Sequence, residues 1–237
     1  MGNEQVRERK MHVLFEDRQE AGRRIAKKLA PLGHTNAIIL AIPRGGIPVA
    51  AAAAHRLQLP WSFIVARKLP VPTNPEAGFG AVTADGSITL NNAMLSGLHL
   101  TKGQIDTIAE DVRAEVARRT EVYSHARPPI DVAGKTVILL DDGLASGYTM
   151  LAAIKSIRAH DPASVLAAAP VASRSAAAMI EEAADDCVFE IVSPAMPFAV
   201  ANFYVVWHDL TDEDILPILE VRAAKLDNGV DIGRKAV

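Results

Sequence analysis

The chain has 237 residues, of which 49% are hydrophobic, 22% charged and 5% aromatic, and a formal net charge of −3. This is enough apolar material for one well-packed core, so a single domain over residues 1–237 is expected, and the near-balanced charge offers no footprint for a nucleic-acid backbone. Seven histidines without metal-ligand spacing and one cysteine exclude a structural zinc site, and Cys187, inside the apolar run CVFEIV, is expected to be a packed small hydrophobe rather than a nucleophile.

The N-terminal stretch MGNEQVRERKMHVLFEDRQ is charged throughout and has neither a signal-type apolar segment nor a lipidation pattern. The apolar runs are too short to span a bilayer, and Pro170 interrupts the longest, so a soluble, cytoplasmic protein without membrane contact is expected. Residues 17–32 carry a capping pair, Asp17 and Glu20, followed by Ala21, Ile25, Leu29 and Leu32 at helical spacing, which predicts an amphipathic helix with Arg23, Arg24, Lys27 and Lys28 outward. The run AIILAI (37–42), the turn PRGGIP and VAAAAAHRL form a strand, a glycine turn and a helix. WSFIVAR (61–67) is a second strand by its β-branched and aromatic content.

Residues 68–90 are rich in proline and glycine and predict a long loop, with a hairpin turned at Ala84, Asp85 and Gly86. Thr101 and Gln104 make a second capping pair, and Ile105, Ile108, Val112 and Val116 continue a long helix to about Tyr123, which ARPPID stops. Beyond this the alternation is regular: TVILL (136–140) is a strand buried on both faces, residues 149–160 a helix, 164–171 a strand, a helix capped by Ser173, and 187–192 a strand. The last dozen residues form a polar tail. Strands separated by helices of this length predict an α/β fold, a parallel twisted sheet flanked by helices.

In such a sheet ligands sit at the carboxyl ends of the strands. Asp141 and Asp142 fall at one such end. Gly143, Ala145, Ser146 and Gly147 follow with little side chain, and the next helix begins near Thr149, so open amides and a positive dipole end converge there. A bare phosphate would be repelled by the two acids. A phosphorylated sugar would not: its phosphate takes the amides, its hydroxyls donate to the carboxylates, and a Mg²⁺ ion near Asp141 and Asp142 offsets the remaining charge. Arg44, Gly45 and Gly46 after the first strand offer a second anion site, and two anion sites imply a ligand with two phosphate groups.

The stretch VILLDDGLASGYTM resembles the phosphoribosyl pyrophosphate signature of the type I phosphoribosyltransferases over residues 137–149. FEDRQEAG, AIPRGGIPVA and ARKLPVPTNPEAGFGAV add a likeness to a bacterial subgroup of undefined acceptor. The resemblance implies a core over about 15–195, a small hood over about 196–220 together with the N-terminal region, and a flexible loop at about 69–90 that closes over the reacting centre. By the same resemblance Asp141 and Asp142 bind the ribose hydroxyls; Ala145, Ser146, Gly147, Tyr148 and Thr149 cradle the 5′-phosphate, with Gly143 and Leu144 completing the stretch that binds the ribose and 5′-phosphate; and Arg44, Gly45, Gly46 and Lys68 bind pyrophosphate. Arg44, Lys68, Asp141 and Asp142 are thus the catalytic candidates, Mg²⁺ the cofactor, and a homodimer the assembly. A strained or cis peptide is implied at Arg44–Gly45.

Some alternatives stay open from sequence. Lys68 is a pyrophosphate ligand or a surface lysine at a strand end. Tyr148 covers the phosphate or packs outward, and Gly143, in place of the family's branched residue, loosens the turn. Phe198, Phe203, Tyr204 and Trp207 concentrate in the hood, where they stack an acceptor base or only pack the hood; His208 and Asp209 are further acceptor candidates. Ala145 replaces the aspartate of hypoxanthine and guanine members, so that specificity does not follow. The activity implied is transfer of a phosphoribosyl group from phosphoribosyl pyrophosphate (PRPP) to a nitrogenous acceptor such as a nucleobase, with a non-catalytic, PRPP-binding regulatory protein as the alternative.

Overall fold

The computed structural model describes residues 15–33 and 36–221; residues 1–14 of the N-terminal charged stretch and the polar tail lie outside the described residues. Five strands, β1 (Ala37–Ala41), β2 (Trp61–Phe63), β6 (Thr136–Leu140), β7 (Ser164–Ser173) and β8 (Asp186–Ser193), form one sheet in the order β2-β1-β6-β7-β8. Every pairing in it is parallel, as alternating strands and helices require.

Successive strand side chains point to opposite faces, and each face has its own helices. Ile39 and Ala41 of β1 and Ile138 and Leu140 of β6 share a core cluster with helices α1 (Arg18–Leu29), α2 (Gly46–Leu57), α4 (Lys102–Ala126) and α7 (Asp212–Glu220). Ile38, Leu40, Val137 and Leu139 turn the other way, toward α5 (Tyr148–Arg158) and α6 (Arg174–Glu181). Both faces are covered, which is why β1 and β6 carry no polar alternation. Asp17 caps α1 through its side chain, and Thr101 and Gln104 close a capping box on α4, as their spacing predicts.

The segment 68–90 is not a loop. It folds as an antiparallel sheet of β3 (Ala66–Val71), β4 (Asn74–Thr83) and β5 (Ile88–Leu90), followed by the short helix α3 (Asn92–Leu95). Leu69, Val71, Phe79, Ala81 and Val82 bury their side chains there, and this burial outweighs the local cost of proline and glycine. Pro70 sits at a register shift, where a missing N–H is tolerated. The turn between β4 and β5 falls at residues 84–87, where Asp85 accepts hydrogen bonds from Thr83 Oγ1 and from the Ser87 amide, so the expected hairpin is present. Residues 61–67 likewise divide into β2 and the start of β3.

Candidate active site

β1 continues toward β2 on one side of the sheet, whereas β6 continues toward β7 on the other. Between β1 and β6 the winding therefore reverses, and the loops at their carboxyl ends splay apart into a crevice. Residues 42–45 and 141–147 occupy it. The helix starts beside this crevice differ from the others. Among the described residues α1, α3, α4, α6 and α7 all begin with a side chain that accepts a backbone N–H, while α2 and α5 begin at Gly45 and Gly147 with none. Neither start has a side-chain cap, and both positive dipole ends face one point of the sheet. At α2, however, the Gly46 amide donates to Ile42 O and the Ile47 amide to Arg44 O, each at 3.1 Å, so the expected open amide at Gly46 is corrected and the freer set is at α5.

The loop after β6 is anchored by the overhang of β7. Beyond Ala168, where pairing with β6 ends, the Leu144 amide donates to Val171 O at 2.8 Å, the Ser173 amide to Leu144 O at 2.8 Å, and Ser173 Oγ to Ala145 O at 2.7 Å. Leu144 is buried and its amide is used internally, so within the expected donor-binding stretch its backbone N–H serves as an anchor and is not offered to a ligand. The amides of Ala145, Ser146 and Gly147 have no acceptor among the described residues, and the Ser146 and Thr149 hydroxyls lie beside them on the loop and the first turn of α5. Gly143 does not loosen the turn either. A Cβ there would meet Val200 Cγ1 at 2.5 Å and Val171 Cγ1 at 3.0 Å; the branched residue is absent because the hood valine fills its space. Tyr148, half-buried, is the first residue of α5.

The acids are less open than expected. Arg18 Nε lies 2.7 Å from Asp142 Oδ2, with the two side chains 8% and 13% exposed. Gly45 rests on the same carboxylate, since a Cβ at Gly45 would stand 1.9 Å from Asp142 Oδ2. Asp141 Oδ1 accepts the Asp142 amide at 2.8 Å. Burial and the neighbouring Asp142 charge push the Asp141 carboxyl well up; burial raises Asp142 too, but the Arg18 guanidinium opposes that rise. One oxygen of Asp142 is committed to an internal ion pair, and Asp141 is the less encumbered acid. Arg18 was not among the sequence candidates, although a signal existed. The apolar stripe of α1, extended one turn back from Ala21, Gly22 and Ile25, lands on Arg18, and a cation in a first helical turn opposes the dipole.

Arg44 leaves the loop toward the hood, its Nη1 3.7 Å from Asp212 Oδ1. It joins a ladder in which Arg118 bridges Asp212 and Glu115, and Arg119 and Arg67 both approach Glu115 Oε1, at 2.6 and 3.5 Å. Tyr123 donates to Asp212 at 2.6 Å. Arg67, Arg118, Arg119 and Asp212 were not anticipated, because the ladder joins α4, α7 and two strand ends far apart in the chain. The cis peptide lies at Pro43–Arg44, one bond before the expected position. Lys68 lies within β3, opposite Ala81 and half-buried, so it is not a lysine at a strand end.

The hood aromatics pack mainly on one another. Tyr204 is 4% exposed, its ring lies 5.3 Å from Phe15 and 5.1 Å from Trp207, and its hydroxyl donates to Asp142 O at 2.6 Å. No face remains to stack an acceptor, so Tyr204 is corrected to a support of the acid loop. Phe198 packs against Phe203 at 5.5 Å, and one face of Trp207 carries the Arg18 guanidinium at 3.8 Å; both keep partial exposure. His208 and Asp209 are exposed, and the His208 carbonyl accepts from Arg18. Burial, with Glu181 and Asp186 nearby, pushes the Cys187 thiol up to about 11, which suits a packed, unreactive side chain.

The acids do not make a metal site by themselves. No group of three or more His, Cys, Asp or Glu among the described residues is placed to hold an ion, and Asp142 is already paired. No helix among the described residues is long and apolar enough to cross a membrane.

The family model described as "Phosphoribosyl transferase domain" matches residues 15–205. A Mycobacterium tuberculosis (strain H37Rv) protein whose name assigns it provisionally to the phosphoribosyl transferases is 36% identical over 207 residues, covering 87% of this chain and 46% of the relative; the chain thus spans about half the length of that curated relative. The crystal structure of TT1426 from Thermus thermophilus superposes with a TM-score of 0.72 at 35% identity, covering 87% of this chain and 98% of the other. With the signature loop, the uncapped helix starts and the parallel sheet in one place, the chain belongs to the phosphoribosyl transferase domain family.

Proposed function

We propose that the chain transfers a 5-phosphoribosyl group from PRPP to a nitrogenous acceptor, a nucleobase or related heterocycle, with release of pyrophosphate. The observation that carries the reading is the pair of uncapped helix starts, α2 and α5, on either side of the acids. The α5 start, with the amides of Ala145, Ser146 and Gly147 and the Ser146 and Thr149 hydroxyls, takes the 5′-phosphate. The α2 start takes the diphosphate through its dipole end and the Gly45 amide, since the Gly46 amide is used internally, with Arg44 and Lys68 as the proposed cations. Asp141 accepts from the ribose hydroxyls. Mg²⁺ enters with the donor's diphosphate, whose charge it screens, rather than as a resident ion.

In the reaction the bond from C1 to the pyrophosphate oxygen breaks, the electron pair leaves with pyrophosphate, and a bond from C1 to the acceptor nitrogen forms as that nitrogen releases its proton to the departing pyrophosphate or to solvent. Fixed amides are suited to the departing polyanion because they need no reorganisation as charge develops. Phe198 and Trp207, at the hood, are the acceptor-side candidates.

The test is titration of PRPP with Mg²⁺ into the wild type and Asp141→Asn, followed by product analysis from labelled donor with a panel of bases and amines. Binding lost in Asp141→Asn, with product from at least one acceptor, supports the transferase. Donor binding without product for any acceptor identifies the regulatory alternative, and no donor binding overturns the assignment.

A further inference from the structure

We propose that Arg18 is the built-in counter-cation of the acidic pair, so that the ribose 5-phosphate half of the donor binds without a divalent ion. The proposal rests on the donor reading above.

Arg18 is held on three sides. Its Nε pairs with Asp142 at 2.7 Å, its Nη1 donates to the His208 carbonyl at 3.1 Å, and its guanidinium lies 3.8 Å over the Trp207 ring. With 8% of its side chain exposed, it cannot act as a solvated surface cation. The fold itself gives little reason for a cation here, since the position continues the apolar stripe of α1 and lies in a first turn where the dipole disfavours positive charge. A buried ion pair is also seldom more stable than well-packed apolar side chains.

What the position does supply is charge. Two adjacent carboxylates beneath the backbone of Gly45 would repel each other and the ligand's phosphate; one fixed guanidinium cancels one of those charges and orients Asp142. The remaining acid, Asp141, is free of an ion pair among the described residues. Among the described residues the acids are not joined by a third His, Cys, Asp or Glu that would hold a resident ion. The same contacts explain the opening motif FEDRQEAG: Phe15 packs under Tyr204, Asp17 caps the helix, and Arg18 reaches the acids. Arg18 is thus a positioning residue that acts through Asp142.

The experiment is calorimetric titration of ribose 5-phosphate into the wild type, Arg18→Met and Arg18→Lys, in EDTA and again in Mg²⁺, with circular dichroism melts of each. The wild type is expected to bind within about twofold equally in both buffers. Arg18→Met is expected to bind at least tenfold more weakly in EDTA and to regain several-fold in Mg²⁺, a response that a merely structural loss would not show. Arg18→Lys, which keeps the charge but loses the fork and the stack, should fall between them. Wild-type binding that disappears in EDTA overturns the proposal while leaving the donor reading standing, and so does wild-type affinity of Arg18→Met in EDTA. If Arg18→Met does not fold, Arg18→Lys decides: wild-type affinity in EDTA, or a partial loss that Mg²⁺ restores, supports the proposal, and a loss that Mg²⁺ does not restore overturns it. If the wild type binds neither ribose 5-phosphate nor PRPP in any buffer, the donor reading fails first and this inference with it.

Discussion

Replacing Gly45 by alanine tests the geometry of the site with a single methyl group. Gly45 has ordinary right-handed backbone angles, φ −58° and ψ −36°, so alanine carries no conformational penalty and the effect is purely steric. The added Cβ would lie 1.9 Å from Asp142 Oδ2, 2.3 Å from Cγ and 2.7 Å from Oδ1, whereas ordinary contact begins at 3.4 Å. The nearest oxygen must retreat by 3.4 − 1.9 = 1.5 Å, or the β1 loop must lift by as much. Overpacking of this kind costs about 1–3 kcal/mol. If the carboxylate moves off Arg18, a buried charge loses its partner, which costs about 3–5 kcal/mol when nothing replaces it. Partial relief puts the total at roughly 2–5 kcal/mol, which for a chain of this size lowers the melting temperature by roughly 5–20 °C. The assay is thermal and urea denaturation of Gly45→Ala beside Gly103→Ala, whose Cβ would meet nothing within 4 Å and which should match the wild type or exceed it slightly. A Gly45→Ala protein melting within about 1 °C of wild type, against the several degrees expected, would show that Asp142 is not pinned beneath this loop, and the description of the site would be wrong.

Two other outcomes follow from the packing around the site. Gly143→Ala should cost about 1–3 kcal/mol by collision with Val200, and Val200→Ala in the same chain should return most of it; urea unfolding of the double variant no more stable than the single would refute the proposed filling of that space by the hood. The second outcome concerns acid. Hydrogen bonding from Arg118, reinforced by Arg119, holds Glu115 down at about 2 against an ordinary 4.5. A depressed carboxylate stabilises the fold above its unfolded value and loses that contribution as pH falls from about 4.5 toward 2. Glu115→Gln should therefore melt below wild type at neutral pH, with the gap closing across that window and shrinking in salt, because the pairs are partly exposed. A gap that stays constant from neutral pH down to about 2 would exclude the ladder as its source.

Much of the fold was legible in the residues themselves. Capping pairs such as Thr101 and Gln104, the unbroken apolar runs of β1 and β6, and the small-residue loop after Asp142 are short-range signals: each reports on a few neighbouring residues and needs no partner from elsewhere. The segment 68–90 misled because proline and glycine report only the local cost of a strand, whereas Leu69, Phe79 and Val82 offset that cost by burial against distant parts of the chain.

What the sequence alone determined was the alternation of strands and helices, the place of the acids at a strand's end, and the donor class that the loop after them resembles. Only the tertiary structure decided which groups are free to act. Arg18 lies 124 residues from Asp142 and Tyr204 lies 62 from it, and Leu144 commits its amide to β7. Periodicity and spacing describe what a residue does within its own turn or strand. Whether a carboxylate is open or paired is set by the side chains that folding brings against it.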